Sequence, residues 1–257
     1  SKLLTDKKYK VYGLDIVDPQ YPVSKFYKID ITNNHNIIEE FDAVIHLAAK
    51  ISVNESQKEP LAYYNTNIFG TANLLKNIKT KNFIFASTGT AEYCNSSYGI
   101  SKRACEDVVK ELCSKMNIPY TIFRFYNVFG TNGFSATNYD GLTHSLFKSK
   151  ETKTFTIYGN DYDTPDGTCI RDYIHVNDIC ESIESAISNC TNSIECLGYG
   201  LGTSVLEMFN TFKKVNNLDI DLNIGPRRDG DLPVCVLKNI SKFIIDKKFN
   251  INDLLKI

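Results

Sequence analysis

The sequence has no tryptophan, two methionines and four histidines in 257 residues. Its aromatic content is Tyr and Phe, scattered and not interleaved with basic clusters, which argues against a stacking platform for nucleic-acid bases. Charge of neither sign dominates. Lys and Arg number 29 against 30 Asp and Glu, a formal net charge of −1, so no broad nucleic-acid or membrane-binding surface is expected. No apolar run approaches the length of a membrane span, and Ser1-Lys2-Leu3-Leu4-Thr5-Asp6 does not read as a signal peptide. The eight cysteines form no C-x-x-C pair, and the histidines are dispersed. A zinc site and a disulfide framework are therefore disfavoured; free thiols in a reducing, cytoplasmic setting are the expectation.

A further absence concerns the start of the chain. A doubly wound nucleotide-binding domain opens with a strand, a glycine-rich turn and the helix whose N-terminus holds a pyrophosphate. No glycine here supplies that turn. The chain starts in what reads as the tail of that helix, Leu3-Leu4, and Ser1 is not an initiator methionine, so a truncated copy is expected. The run Gly198-Tyr199-Gly200-Leu201-Gly202 is rich in glycine but lies far downstream, without the strand–turn–helix setting.

What is present is enough for a sizeable core: 42% of the residues are hydrophobic, which suits one large or two small domains. Tyr9 to Leu14, Phe26 to Ile29, Ala43 to Leu47, Phe83 to Ala86 and Tyr120 to Phe125 read as strands. Helical patterns run from about Pro60 to Lys79 and from Tyr98 to Asn117. The β-β-α-β-α-β-α-β succession predicts an α/β fold, a doubly wound, mostly parallel sheet. Asp15 and Asp30 follow the first two strands, where an acidic residue either binds ribose hydroxyls or makes a plain turn. Ala48-Ala49 follows the third; small residues there admit a ligand or serve helix packing. Of Asn65 and Asn67 on the long helix, one can bond a ligand while the other faces solvent. Past Gly130, turn-rich segments predict a smaller, irregular second domain.

The stretch with the most chemistry is Tyr98-Gly-Ile-Ser-Lys102. Residues four apart share a helix face, and a fixed ammonium one turn away favours the phenolate over a phenol of pKa about 10. Such a side chain can take a proton from a sugar or alcohol hydroxyl, and Thr88 can give a second hydrogen bond to the same oxygen. Alone the pair reads more readily as a solvated helix face. Its position decides otherwise, because Ser87-Thr88 ends a buried strand just before it and sites in open α/β sheets lie beyond the carboxyl ends of strands. Two arginine-bearing stretches, Arg171-Asp172-Tyr173 and Arg227-Arg228-Asp229-Gly230-Asp231, offer guanidinium groups suited to phosphates. Internal ion pairing is expected for Arg227, and a diphosphate for Arg171 and Arg228.

Several stretches together resemble the extended short-chain dehydrogenase/reductase family, and within it the UDP-glucose 4-epimerases. They include Val44-Ile-His-Leu-Ala-Ala49, Val53-Asn-Glu-Ser56, Tyr63-Tyr-Asn-Thr-Asn67, Phe83-Ile-Phe-Ala-Ser-Thr88, Tyr98 to Lys102 and Arg124-Phe-Tyr-Asn127. Ile157 to Tyr162, Asp166 to Asp178 and Pro226 to Pro233 are more specific to the epimerase branch. The resemblance implies a Rossmann-type sheet missing its first strand and a smaller α/β substrate domain. The expected boundaries are residues 1–130 for an NAD-binding domain and 131–257 for a UDP-sugar-binding domain, with about 172–192 packing back on the first.

Residue by residue, the resemblance implies an NAD site lined by Asp15, Asp30, Ile31, Leu47, Ala48, Ala49, Asn67, Ser87, Tyr98 and Lys102. It makes Thr88, Tyr98 and Lys102 the catalytic set. A UDP-sugar would be held by Thr88, Asn127, Leu142, Tyr158, Arg171, Arg228 and Asp231, with the small Cys235 leaving room for N-acetylated hexosamines. The implied activity is NAD-dependent 4-epimerisation of UDP-hexoses through a 4-keto sugar, by a homodimer, with no metal, nucleic-acid or membrane partner. Departures from the family pattern are the missing phosphate turn, a short loop from Thr88 to Tyr98, Ile51 in place of a lysine, Phe125 in place of a tyrosine and Gly141 in place of an asparagine. They leave open a non-catalytic paralogue that binds a nucleotide sugar or a partner. Another extended reductase, a dehydratase or decarboxylase, also stays open, although Gly89-Thr90 after Thr88 lacks the acidic pair of the dehydratases.

Overall fold

A computed structural model describes residues 1–130, 141–243 and 255. The chain divides into two compact units, Ser1–Phe123 with Ile183–Ile194, and Arg124–Ser182 with Glu195–Ile257.

The apolar runs, which lie mostly in the first unit, become strands of a mostly parallel sheet. Four strands lie in the order Ser193–Leu197, Tyr120–Phe125, Phe83–Thr88, Val44–His46. Val44 stands opposite Phe83 and His46 opposite Phe85 in parallel register. Phe83, Ile84 and Phe85 are at most 1% exposed; successive side chains point to opposite faces, so both faces of this strand are covered, as a continuous apolar run in a parallel sheet requires. Tyr12–Asp15 and Lys25–Lys28 pair in parallel as a separate two-stranded sheet. Among the described residues no strand adds to the other edge of Tyr12–Asp15. Leu14 from that pair and Val44 from the larger sheet nevertheless pack against one core, which holds Leu74, Leu75, Phe83, Phe85, Val109 and Ile122.

Two expectations shift. The first strand begins at Tyr12, so Asp15 is its last residue. Tyr9 instead donates its hydroxyl to Glu184 at 3.1 Å, and Lys7 pairs with the same carboxylate at 2.9 Å. The long helix expected over Pro60 to Lys79 is broken into Pro60–Tyr63, a wider π-helical turn Tyr64–Phe69 and Gly70–Asn77; Lys79–Thr80 is a short strand. Such turns re-aim side chains and often occur at functional sites. Here Asn67 is buried at 1% exposure while Asn65 faces solvent.

The helix Ser97–Met116 owes its ends to local chemistry. Ser96 at the N-cap accepts a hydrogen bond from the Gly99 N–H at 3.1 Å, and Asn117 closes the other end in the left-handed region at φ 55°. A Cβ at Gly99 would lie 2.9 Å from the Thr90 carbonyl oxygen, so only glycine lets the first turn come this close to the loop. The fully buried stripe of this helix is Cys105, Val109 and Cys113, with the thiols serving as small apolar groups.

In the second unit, Ile170–His175 is the centre of a four-stranded sheet. It runs parallel to Asn127–Phe129 and Val234–Cys235 and antiparallel to Gly202–Ser204. Thr154–Tyr158 and Asp221–Gly225 form a parallel pair. Leu146, Phe155, Ile157, Met208, Phe209 and Phe212 make the core. The glycine-rich run 198–202 here cradles a carboxylate instead of a phosphate. Asp172, fully buried, accepts hydrogen bonds from the N–H groups of Tyr199 (2.9 Å), Gly200 (2.8 Å) and Leu237 (3.2 Å). A Cβ at Gly198 would stand 2.7 Å from its Oδ2. No helix among the described residues is long and apolar enough to cross a membrane.

Candidate active site

Within the first unit, Thr88 ends the strand Phe83–Thr88 half-buried, and its Oγ1 lies 3.2 Å from Thr90 Oγ1. Tyr98 is half-buried in the first turn of its helix, with its ring edge-on to Tyr63 at 6.4 Å between centroids. Tyr63 is itself fixed, since its hydroxyl donates to the Ser52 carbonyl at 2.7 Å and lies 3.0 Å from Glu55 Oε2. One turn after Tyr98, Lys102 is 3% exposed, and its Nζ lies 4.3 Å from the centre of the Phe85 ring. Burial pulls its pKa down to about 8, opposed by Cys105 and Glu106. A ring face attracts an ammonium without using its three N–H donors, which leaves them for a ligand's hydroxyls.

The residues expected around a cofactor differ in what they can offer. Asp15 is exposed and its Oδ1 accepts from the Val17 N–H at 3.1 Å. Asp30 Oδ1 accepts from both the N–H (2.9 Å) and the hydroxyl (2.8 Å) of Thr32. Ile31 sends its side chain into the core at 4% exposure, and its carbonyl accepts from Asn73 Nδ2 at 2.8 Å. Leu47 is 56% exposed, with the half-buried Ala48 and Ala49 after it. Asn67 is used within the protein. Its Oδ1 accepts from the Lys50 N–H at 2.8 Å, and its Nδ2 donates to the Lys50 carbonyl at 3.0 Å and to Ser101 Oγ at 2.9 Å. It thereby ties the loop after Val44–His46 to the Tyr98 helix. Ser87, also buried, donates its hydroxyl to Glu106 Oε1 at 2.6 Å.

In the second unit the arginines and Asp231 form a cluster. Arg228 Nε donates to Asp231 Oδ2 at 2.9 Å, and its guanidinium lies 5.0 Å from the centre of the Tyr158 ring. Arg171 is turned inward, donating to the carbonyls of Ile170 (3.0 Å) and Leu232 (2.6 Å) and standing 3.5 Å from Asp231 Oδ1. Arg227 makes the expected internal pair, with Nε 2.7 Å from Asp161 Oδ1. Cys235, 6% exposed, sits opposite Arg171 in the sheet register and packs with Tyr126 and Leu237. Asn127 donates to the Asp172 carbonyl at 3.2 Å, and Leu142 opens the helix Leu142–Thr152.

Sequence reasoning missed two buried ionisable groups beside Lys102. Glu106 could have been found, because it follows Lys102 at the same four-residue spacing that links Lys102 to Tyr98. His46 gave no local sign beyond its strand. It is 3% exposed with Nε2 2.9 Å from Thr71 Oγ1, and burial, aided by the Lys102 charge, pushes its pKa down to about 3. Between pH about 6.5 and about 3 the unfolded chain takes up a proton that the folded one refuses. Stability is therefore lost as pH falls through that window. Urea unfolding at pH 7 and pH 5 should show a shallower pH slope for His46→Gln than for the unaltered protein; equal slopes would refute the assignment.

The parallel α/β sheet with the Tyr98 and Lys102 helix after its central strand defines a Rossmann-type protein of the extended short-chain reductase class. The chain belongs to the NAD dependent epimerase/dehydratase family, which residues 1–195 match. UDP-glucose 4-epimerase 2 of Oryza sativa subsp. japonica is 32% identical over 246 residues, 81% of this chain and 60% of that relative. The chain thus spans about 60% of that relative's length. The structure of UDP-glucose 4-epimerase from Bifidobacterium longum in complex with NAD+ and UDP superposes with a TM-score of 0.83 at 28% identity, covering 98% of this chain and 90% of that one. The UDP-Glc/GlcNAc 4-epimerase from Campylobacter jejuni gives 0.76 at 26% identity, covering 99% and 92%.

Proposed function

We propose that the protein interconverts UDP-glucose and UDP-galactose by NAD-dependent 4-epimerisation, with the N-acetylhexosamine pair as further substrates. The observation that carries this reading is the buried Lys102 ammonium, held against the Phe85 ring in the turn after Tyr98 with its N–H donors directed at no carbonyl by that contact. Those donors fit the hydroxyls of a ribose, and Ala48-Ala49 fits close approach of a dinucleotide. Lys102 would hold the nicotinamide ribose; Asp15, Asp30 and the Ile31 backbone the adenosine end; Leu47, Ala48, Ala49 and Ser87 the path between, with Asn67 keeping the Lys50 loop in place. When bound, NAD would supply the hydride acceptor and donor for carbon 4 of the sugar.

The chain's own residues handle the proton. Tyr98, as phenolate, takes it from the sugar 4-hydroxyl and later returns it. Lys102 favours the phenolate by its charge, and Thr88 donates a hydrogen bond to the sugar oxygen. Arg228, oriented by Asp231 and Tyr158, offers its outer N–H groups to the diphosphate of UDP. Arg171 braces the same segment through Leu232 and Asp231, while Asn127, Leu142 and Tyr158 line the substrate. Cys235 is a small side chain where the hexosamine acetyl group needs room, and the Campylobacter jejuni relative is itself a UDP-Glc/GlcNAc 4-epimerase.

Purification of the full chain, release and quantification of bound NAD, and assay of both UDP-hexose pairs test the reading. Retained NAD with conversion of UDP-galactose to UDP-glucose is the expected result. A folded chain that binds UDP yet holds no NAD and turns over neither hexose would replace it with the non-catalytic alternative. Turnover of UDP-glucose without UDP-N-acetylglucosamine would remove the hexosamine part alone.

A further inference from the structure

The Tyr98 helix carries a third ionisable group in line with the pair. Tyr98, Lys102 and Glu106 are spaced four apart and so lie along one helix face. Glu106 has no exposed surface, and Lys102 has 3%. The neighbouring strand meets both from alternate positions of one face: Phe85 places its ring 4.3 Å from Lys102 Nζ, and Ser87 donates its hydroxyl to Glu106 Oε1 at 2.6 Å. A carboxylate is acceptable in such a place only if its charge is matched and its lone pairs are bonded.

We propose that Glu106, oriented by Ser87, is the positioning residue for Lys102: the buried anion whose charge holds the ammonium in place over Phe85 while leaving its N–H donors to the ligand. The inference rests on the reading of Lys102 as the ammonium that serves Tyr98. In a poorly polarisable interior a charge acts well beyond hydrogen-bond distance, so the carboxylate need not touch Lys102 to oppose the effect of its burial. The other titratable groups that act on this ammonium are Cys105 on the same helix and His46 from the strand Val44–His46. Burial raises the Cys105 thiol above its ordinary range and lowers the His46 imidazole to about 3. Neither therefore brings a negative charge to Lys102 at pH 7, and the carboxyl group that opposes the effect of its burial is that of Glu106.

The test reads Lys102 directly, in the full chain without cofactor. Lysine labelled with 13C at Cε gives one resonance per side chain, and the Lys102 signal is assigned by its loss in Lys102→Met. Its titration midpoint should fall by at least about one pH unit in Glu106→Gln, a tenfold loss of proton affinity, and by a smaller amount in Ser87→Ala, which keeps the carboxylate but removes its donor. Glu106→Asp, which keeps the charge, should restore most of the difference. A Lys102 midpoint unmoved in both Glu106→Gln and Ser87→Ala overturns the proposal; if Glu106→Gln does not fold, Ser87→Ala decides alone. The measurement does not depend on which reaction the protein performs, so a chain without epimerase activity would leave this result standing and remove only the reading it serves.

Discussion

Tyr98→Phe should lower kcat for UDP-hexose epimerisation by at least about 10²-fold, the usual contribution of a positioned general acid/base, with KM little changed. The substitution removes one oxygen and keeps the contacts that the helix and the ring themselves make. The helix still starts at the Ser96 cap, Gly99 still lies against the Thr90 carbonyl, and the edge-on contact with Tyr63 is made by the ring itself. Bound NAD and the thermal transition should therefore match the unaltered protein, which separates loss of chemistry from loss of structure. Ground-state affinity for UDP is expected to be unaffected because the uridine and diphosphate contacts are assigned to other residues. A kcat within a factor of a few of the unaltered value would take Tyr98 out of the mechanism, and with it the assignment of Lys102 as its partner.

The Tyr98 helix was readable because its information is local: the four-residue spacing of Tyr98 and Lys102 and a helical pattern that ends at Asn117 lie within the element, although the side chains it buries fully are Cys105, Val109 and Cys113. The strand Phe83–Thr88 was readable for the same reason, as an unbroken apolar run ending in two hydroxyl residues. Long-range chemistry was not readable. No glycine or proline lies within the π-helical turn Tyr64–Phe69, and Gly70 only follows it; Asn67, which sits in the turn, bonds Lys50 and Ser101, far away in sequence. The run 198–202 showed in the sequence only as glycine-rich without a strand–turn–helix setting; the anion it encloses, Asp172, is supplied by a distant strand. The inward turn of Arg171 onto two carbonyls depends on Leu232, which no local pattern links to it. Internal pairing was expected for Arg227, but its partner, Asp161, lies 66 residues away and no local pattern named it.

Asp172→Ala should be the most destabilising single substitution in the second unit, by roughly 3–6 kcal/mol. The alanine leaves three backbone N–H groups, those of Tyr199, Gly200 and Leu237, without the carboxylate they bond, and a buried donor stripped of its partner costs about 1–3 kcal/mol. The sum is held below three full penalties because the loop can relax toward water. Against a total stability of about 5–15 kcal/mol, the loss would leave much of this unit unfolded at 37 °C. Asp172→Asn should recover little, since its amide turns one acceptor into a donor facing the same N–H groups. Asp219→Ala is the control: its side chain is fully exposed and 3.9 Å from Lys213, and a change within about 0.5 kcal/mol is expected. Urea midpoints of the three variants decide the matter. A shift for Asp172→Ala no larger than that of the control would mean that the glycine-rich run holds its shape without the carboxylate. Because Arg171 precedes Asp172 in the strand and stands opposite Cys235 in the register, UDP affinity should fall in step with the unfolding of this segment, not independently of it.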